Sequence, residues 1–169
     1  MDRTYTLGIY HIDGLIEQAL KTEVKELVED LRPQDKADLI AACGDAEMAI
    51  MQSIAFSDTV YVFCNDKQKC ISMLGFGTVA ESGIGRSVWS VSANDINNGY
   101  VKPLLFKKAR EIIDKWVNKV GMLQNVVNVE NKTSIRYMEK VLGAVFLPET
   151  FIANGHEWKS FYIIPKGGK

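Results

Sequence analysis

The feature that most constrains the fold is a long stretch with helical periodicity, from Val101 to Gly121. Pro103 suits the first turn of a helix, and Gly121 follows the last turn, where a positive φ is tolerated. The apolar residues recur every three or four positions and share one wide face: Val101, Leu104, Leu105, Ala109, Ile112, Ile113, Trp116, Val117 and Val120. The sequence therefore predicts a long amphipathic helix whose apolar face is buried against other elements.

Two strand-like segments flank this helix. RSVWSVSA precedes it and places Val88 on one side and Trp89 and Val91 on the other, as an alternating strand does. LQNVVNVEN follows it and reads as a second short strand. Because a helix connects them, the two strands are predicted to lie parallel to each other in one sheet. We expect ligands to bind near the loop SANDINNGY, which feeds the helix.

The other segments predict a mixed arrangement around this unit. An N-terminal strand over residues 4–12 is followed by a helix from Asp13, a short helix from Pro33 and a third helix capped by Asp45. TVYVFC, CISMLGFGTVA and RSVWSVSA then form an antiparallel meander. After the long helix, Asn131 caps a short helix that ends at Gly143. A final hairpin turns at Asn154-Gly155.

Composition excludes some classes of protein. The formal net charge is -1 and 47% of residues are hydrophobic, so nothing indicates a nucleic-acid or membrane footprint. The start of the chain lacks the pattern of a signal peptide, and no spanning helix is predicted. Three cysteines without CxxC spacing predict free thiols, with Cys64 and Cys70 in the core. The two histidines lack metal-ligand spacing, so no metal site is predicted. We expect one intracellular domain over residues 1–169.

This order of elements resembles the fold of the GNAT acyltransferases. The segment NKTSIRYMEKVLGAVF is similar to the GNAT segment in which an Asn opens a short helix that ends in Gly before a hairpin. The resemblance implies an α/β (α+β) protein with a mixed, mostly antiparallel sheet of six or seven strands and four or five helices. A narrower resemblance is to small GNAT-like proteins of tailed bacteriophages, including internal virion proteins of short-tailed phages. It is carried by LRPQDKADLIAACGD and by the segment around Asn131.

The resemblance implies a site for acetyl-CoA. GNAT enzymes place an Arg-Gly-x-Gly-x-Gly loop before the long helix, and its N–H groups hold the pyrophosphate. The candidate cofactor-binding residues here are Asn131 and the loop residues Asn97, Asn98, Gly99, Tyr100 and Val101. One glycine of three remains, and Val101 is expected to put a branched side chain where a phosphate should approach. The loop is therefore predicted to be degenerate.

The catalytic groups that the family implies are also altered. Many GNAT enzymes protonate the departing thiolate with a Tyr seven residues after the helix-opening Asn, and that position here is Met138. Tyr137 lies one place earlier and is the candidate proton donor. One extra residue before Gly143 allows the helical register to shift. No carboxylate lies on the strand before the long helix; Glu81 and Asp95 lie at strand ends and are better explained as turn or capping residues.

Two functions follow from these observations. The first, which the degenerate loop favours, is a non-catalytic phage protein of the virion or of assembly, working in the host cytoplasm or virion through contacts with phage or host proteins. The second is an N-acetyltransferase acting on an amine of a protein or small molecule. Exposed apolar residues around the final hairpin, including Trp158, would support the first. A cleft left open, and not plugged by Tyr100 and Val101, would support the second.

Overall fold

The computed structural model describes residues 8–13, 20–79 and 85–167. Each helix and strand is labelled in chain order. The elements are β1 Gly8–Asp13, α1 Lys21–Glu29, α2 Pro33–Cys43, α3 Ala46–Ala55, β2 Ser57–Cys64, β3 Cys70–Val79, β4 Arg86–Ser92, a 3₁₀ turn Asn94–Asn97, α4 Val101–Val120, β5 Leu123–Asn128, α5 Lys132–Tyr137 continued by a π-helical turn Met138–Leu142, β6 Val145–Ala153 and β7 His156–Ile163.

The strands form one seven-stranded sheet in the order β1-β2-β3-β4-β5-β7-β6. Every neighbouring pair is antiparallel except β4 and β5, which are parallel and joined by the crossover helix α4. A crossover through a helix is the usual way for a chain to connect parallel neighbours. The predicted fold class is therefore confirmed: a mixed, mostly antiparallel sheet with five helices among the described residues.

The sheet separates two hydrophobic cores. On one face, the predicted apolar side of α4 packs against β3, β5 and β7 through residues such as Leu105, Ile113 and Val117. On the other face, α1 and α3 cover β2 and β3 through Leu27, Ile50 and their neighbours. Burial of these side chains from water is the main stabilising contribution. The alternation predicted for β4 holds, because Val88 joins the first core while Trp89 and Val91 join the second.

Local signals in the sequence mark most helix ends correctly, although Asp13, the predicted cap of the first helix, is the last residue of β1 and the N-cap of α1 is Leu20. The Asp45 carboxylate accepts the Met48 N–H at 2.7 Å, which satisfies one of the free donors at the start of α3. Gly44 and Gly121 follow α2 and α4, each with φ +84°. In the final hairpin, Asn154 and Gly155 both have positive φ, as the tight turn between β6 and β7 requires.

Some predictions fall outside the described residues or need refinement. Residues 4–7 of the first predicted strand, and residues 14–19 of the helix predicted from Asp13, lie outside the described part. Residues 94–97 form a 3₁₀ turn within the predicted loop, held by the Asn94 N–H, which donates to the Asp30 carbonyl at 2.8 Å.

Cys64 and Cys70 are buried free thiols as predicted, and burial raises the pKa of Cys70 to about 12. No helix within the described ranges has the length and apolar run needed to cross a bilayer.

Gly75 makes room for the indole of Trp89. The two residues are direct partners across β3 and β4, and the ring lies over the glycine while its N–H donates to the Ser57 hydroxyl at 2.8 Å. A Cβ at Gly75 would overlap three ring atoms of Trp89. A glycine within a strand often marks such a close approach.

Gly75→Ala is therefore expected to destabilise the protein by about 1 to 3 kcal/mol, because the indole must move from a packed position. Urea denaturation measures the change in the free energy of unfolding. Gly99→Ala is the matched control, since a Cβ there meets no atom within 4 Å. Equal stability of the two variants would show that Trp89 does not depend on the space above Gly75.

Candidate active site between the parallel strands

The two parallel strands separate soon after they start. β4 and β5 are paired only at Arg86 with Leu123 and at Ser87 with Gln124. One residue further on, the Asn125 amide donates to the Val88 carbonyl at 2.6 Å and bridges the widening gap. Beyond this bridge lies a cavity of about 570 Å³. The cleft is thus open, at the carboxyl ends of parallel strands, where ligands commonly bind in sheets of this kind.

Four helices complete the walls of the cavity, and α3 contributes Ile50 and Ser53. α2 contributes Asp35, Asp38, Leu39 and Ala42, which share one helical face. α4 contributes Lys102, Leu105 and Phe106, and α5 with its π-helical turn contributes Tyr137 and Met138. The interior is mainly apolar with a few polar groups, as is usual for a site that binds a small molecule.

Tyr137 is a cavity residue, as its candidacy as proton donor requires. Its ring packs on Phe106 with the centroids 4.3 Å apart, and its hydroxyl makes no hydrogen bond with any residue that the structure describes. Burial raises the pKa of Tyr137 to about 12, against a smaller opposing effect of Arg32. The hydroxyl therefore keeps its proton at neutral pH and can act as a donor.

The π-helical turn explains how the extra residue is accommodated. Met138–Leu142 is wound with one more residue per turn than an α-helix, and Gly143 ends it with φ +70°. Both Tyr137 and Met138 line the cavity, so the presence of Met138 at the family's tyrosine position does not remove a hydroxyl from the site. The π-helical turn follows Tyr137, so it alters the spacing between Tyr137 and Gly143, while the segment from Asn131 to Tyr137 is α-helical. The catalytic role of Tyr137 remains a prediction.

The candidate cofactor loop borders the cavity but does not form its wall. Ile96 and Lys102 line the cavity, whereas residues 97–101 do not. The Asn98 carbonyl accepts the Val101 N–H at 3.0 Å and the Lys102 N–H at 3.4 Å, so two amides at the start of α4 are used within the loop. Asn97, Asn98 and Gly99 are exposed. Their binding of a cofactor stays a prediction.

Two expectations about this loop require correction. The Val101 side chain lies in the hydrophobic core, because the first turn of α4 directs it inward, and it therefore does not stand where a phosphate would approach. Tyr100 is 67% exposed and does not plug the cleft.

Asn131 holds α5 in place. It is buried, its side-chain oxygen accepts the Ser134 N–H at 3.1 Å and its amide nitrogen donates to the Asp38 carboxylate at 2.6 Å. The first contact is the helix cap predicted from sequence. Because both polar groups of this side chain are used, the geometry favours a positioning role. A contact with a cofactor stays a prediction.

The buried carboxylate of Asp35 fixes α2 over the end of β4. Arg32 donates to both oxygens of Asp35, at 2.8 and 3.2 Å, and the Ser92 N–H donates to the same carboxylate at 2.8 Å. Asp35 is only 6% exposed. A buried carboxylate is tolerated when it is paired with a cation and both of its oxygens accept hydrogen bonds in this way.

Sequence reasoning missed the two carboxylates of α2. The candidates it considered lie elsewhere: Glu81 is outside the described residues, and Asp95 accepts the Asn65 amide at 2.9 Å away from the cavity wall. The available signal was the spacing of Asp35, Asp38 and Ala42, which places acidic residues on the same helical face as small and apolar ones.

Cations and carboxylates line opposite sides of the cavity wall. Lys102, Arg136 and Lys140 line the side formed by α4 and α5, and none of them makes an ion pair with a described residue. By contrast, Lys108 and Arg110, outside the cavity, are paired with Glu111 and Asp114. The side formed by α2 carries the carboxylates. The cavity thus presents unpaired positive charge on one side and negative charge on the other.

A mixed sheet whose two parallel strands part around a pocket, with a long crossover helix beside it, is the architecture of the GNAT acyltransferases, and solved structures of that class are similar to this chain. An acetyltransferase of the GNAT family from Bacillus anthracis superposes with a TM-score of 0.59 at 12% identity, covering 92% of this chain and 94% of that one. The spermidine/spermine N-acetyltransferase SpeG from Vibrio cholerae gives 0.57 at 12% identity, covering 94% and 93%.

A third solved structure, assigned provisionally as an acetyltransferase, from Acinetobacter baylyi ADP1, gives a TM-score of 0.63 at 12% identity over 94% of each chain. No family model and no curated protein matches the sequence. At these identities the likeness establishes the fold, so the predicted GNAT-like fold is confirmed.

Proposed function

We propose that this chain is an N-acetyltransferase that transfers an acetyl group from acetyl-CoA to an amine. The observation that carries the proposal is the open cleft between β4 and β5, with Tyr137 in its wall and its hydroxyl free of hydrogen bonds to the described residues. A scaffold that had lost its chemistry would gain stability by filling this space with its own side chains. The solved structures of similar fold include acetyltransferases whose names specify amine substrates.

The residues present fit a phosphate-bearing thioester, although the glycine loop is altered. Lys102, Arg136 and Lys140 lie on one side of the cleft without ion-pair partners among the described residues, and unpaired cations bind phosphates well. These side chains would supply the charge that the family draws from loop amides. The apolar interior contributed by Leu105 and Phe106 suits an alkyl chain.

The chemistry requires little beyond positioning. When bound, acetyl-CoA supplies an activated carbonyl that an amine can attack directly. The protein must orient the two reactants, exclude water and provide a proton for the departing sulfur, and Tyr137 can provide that proton.

Removal of the three cavity cations tests the binding mode. In the combined variant Lys102→Gln, Arg136→Gln, Lys140→Gln, acetyl-CoA affinity measured by calorimetry is expected to fall about 10- to 100-fold, because charge-assisted contacts with phosphates are lost. The salt dependence of binding should weaken in parallel. Lys108→Gln is the control, since Lys108 is paired with Glu111 outside the cavity.

The function itself is tested by thiol release with wild-type protein, acetyl-CoA and a panel of primary amines. The proposal predicts amine-dependent release of CoA and micromolar binding of acetyl-CoA. Absence of both binding and release would contradict it.

A role in protein contacts is the second candidate, and one surface favours it. The edge strand β6 exposes four large apolar side chains: Val145, Leu147, Phe151 and Ile152. Trp158, expected to be exposed, is instead buried, with its N–H donating to the Ala153 carbonyl at 3.0 Å. An exposed apolar patch can mark a protein interface.

A virion or assembly role in a phage rests on this surface and on the sequence resemblance. Detection of the chain in purified virions by mass spectrometry would support it, and absence from them would count against it.

A further inference from the structure

The two carboxylates of α2 that line the cavity, Asp35 and Asp38, differ in how many of their oxygens accept hydrogen bonds. Both oxygens of Asp35 accept hydrogen bonds, from Arg32 and from the Ser92 N–H. Asp38 is half-buried, and one of its oxygens accepts the Asn131 amide at 2.6 Å. The other oxygen of Asp38 has no hydrogen bond with any residue in the described ranges. One oxygen of Asp38 is therefore left to accept a hydrogen bond from a ligand, whereas both oxygens of Asp35 already accept hydrogen bonds.

The position of α2 places Asp38 over the opening between the strands. The helix is tied to the end of β4 through Asp35 and the Ser92 N–H, and to the segment after β5 through Asp38 and Asn131. It therefore spans the gap where β4 and β5 have parted. Asn131 also caps α5, the helix that carries Tyr137 into the same cavity. Asn131 thus connects the two residues, because it hydrogen-bonds to Asp38 and caps the helix that carries Tyr137.

The surroundings of Asp38 favour a carboxylate that can exchange a proton. Desolvation by burial, the largest influence, raises the pKa of Asp38, and neighbouring Asp35 acts in the same direction. The hydrogen bond from Asn131 and the nearby His156 and Arg32 oppose this rise without cancelling it. A carboxylate whose pKa is moved towards neutrality is a better base than an exposed one.

We propose that Asp38 binds the protonated amine of the acceptor and removes its proton, so that the acceptor is a cationic primary amine. This inference rests on the proposed function. Asp38 takes one proton from the ammonium group, and the freed lone pair forms the N–C bond with the thioester carbonyl carbon. The C–S bond breaks and its electron pair leaves with the sulfur, which receives the proton of Tyr137. The nitrogen loses two protons in total. Asp38 takes the first before the attack and passes it to solvent. The second leaves the acylated nitrogen and returns to Tyr137, which has given its own proton to the sulfur.

Asp38→Asn tests this role, because the amide oxygen can still accept the Asn131 hydrogen bond while the charge is lost. At pH 7 we expect kcat/KM for 1,4-diaminobutane to fall about 100-fold. The acidic limb of the pH profile of kcat/KM should also disappear, since the group that titrates there is gone. Calorimetric affinity for acetyl-CoA should change less than about threefold, within the range of a remote substitution. A purely positioning role would not remove the acidic limb.

Two further variants keep the test decisive if Asp38→Asn lowers stability. Asp38→Glu keeps the charge and should retain the acidic limb with reduced kcat/KM. Asp45→Asn is the matched control, because Asp45 is an exposed helix cap that Asn replaces well, and it should leave the profile unchanged.

The outcomes separate the two proposals. If Asp38→Asn keeps the wild-type kcat/KM and acidic limb, the role of Asp38 is overturned while the acetyltransferase activity stands. If wild-type protein binds acetyl-CoA and acetylates only neutral aromatic amines such as aniline, the assignment of a cationic acceptor is overturned. If wild-type protein neither binds acetyl-CoA nor releases CoA, the proposed function fails and the role of Asp38 falls with it.

Discussion

Tyr137→Phe is expected to lower kcat for amine acetylation by about 1,000-fold, within the range that general acid catalysis contributes. The substitution removes only the hydroxyl and keeps the ring that packs on Phe106. Without that proton, the sulfur must leave as a thiolate or take a proton from water. Because the pKa of Tyr137 is raised to about 12 by burial, the donor is protonated at all pH values well below 12, and its loss should be felt equally at pH 6 and pH 9.

Steady-state kinetics with saturating acetyl-CoA measures this effect, and calorimetry checks that binding is intact. Tyr162→Phe is the matched control, since Tyr162 lies on β7 outside the cavity wall. Retention of kcat within about threefold in Tyr137→Phe would remove Tyr137 from the mechanism, since a change of that size is below what loss of a general acid produces.

Asp35→Ala is expected to lower the free energy of unfolding by about 3 kcal/mol, because it leaves the Arg32 guanidinium and the buried Ser92 N–H without their shared partner. This figure is at the low end for a broken buried pair, since Arg32 is 21% exposed and is partly solvated. For a chain of this length the midpoint of thermal unfolding should fall by roughly 10 °C.

Denaturation in urea gives the change in stability directly. Asp114→Ala is the matched control, because Asp114 forms an exposed pair with Arg110 at 3.8 Å and such pairs contribute less than about 1 kcal/mol. Equal stability of Asp35→Ala and wild type would show that the Asp35 carboxylate does not fix α2 to β4.

The elements that sequence could predict are those with local causes. Asp45 and Asn131 cap helices through hydrogen bonds to residues three positions later, and Asn154-Gly155 closes a hairpin by its own backbone preference. The period of α4 identified its buried face correctly except at Leu104, which is 40% exposed. Such signals depend on a few adjacent residues and are readable without the rest of the fold.

The candidate site depends on contacts between distant residues and was predictable only in part. Tyr137 could be found by its place after Asn131, but its place in the cavity wall depends on how α5 packs against Phe106 of α4. Asp38 meets Asn131 only because α2 docks across the parted strands, and no local pattern reveals that docking. Val101 was misjudged because alignment of the loop with a glycine motif ignores the inward direction set by the first turn of α4.

The central claim is that the cleft between β4 and β5 holds acetyl-CoA, and a crystal structure grown with that compound tests it most directly. We expect the thioester to lie between the parted strands, with its sulfur about 3 to 3.5 Å from the Tyr137 hydroxyl and its phosphates on the side of Lys102 and Arg136. An empty cleft in crystals grown at millimolar acetyl-CoA, or a molecule bound elsewhere on the surface, would contradict it.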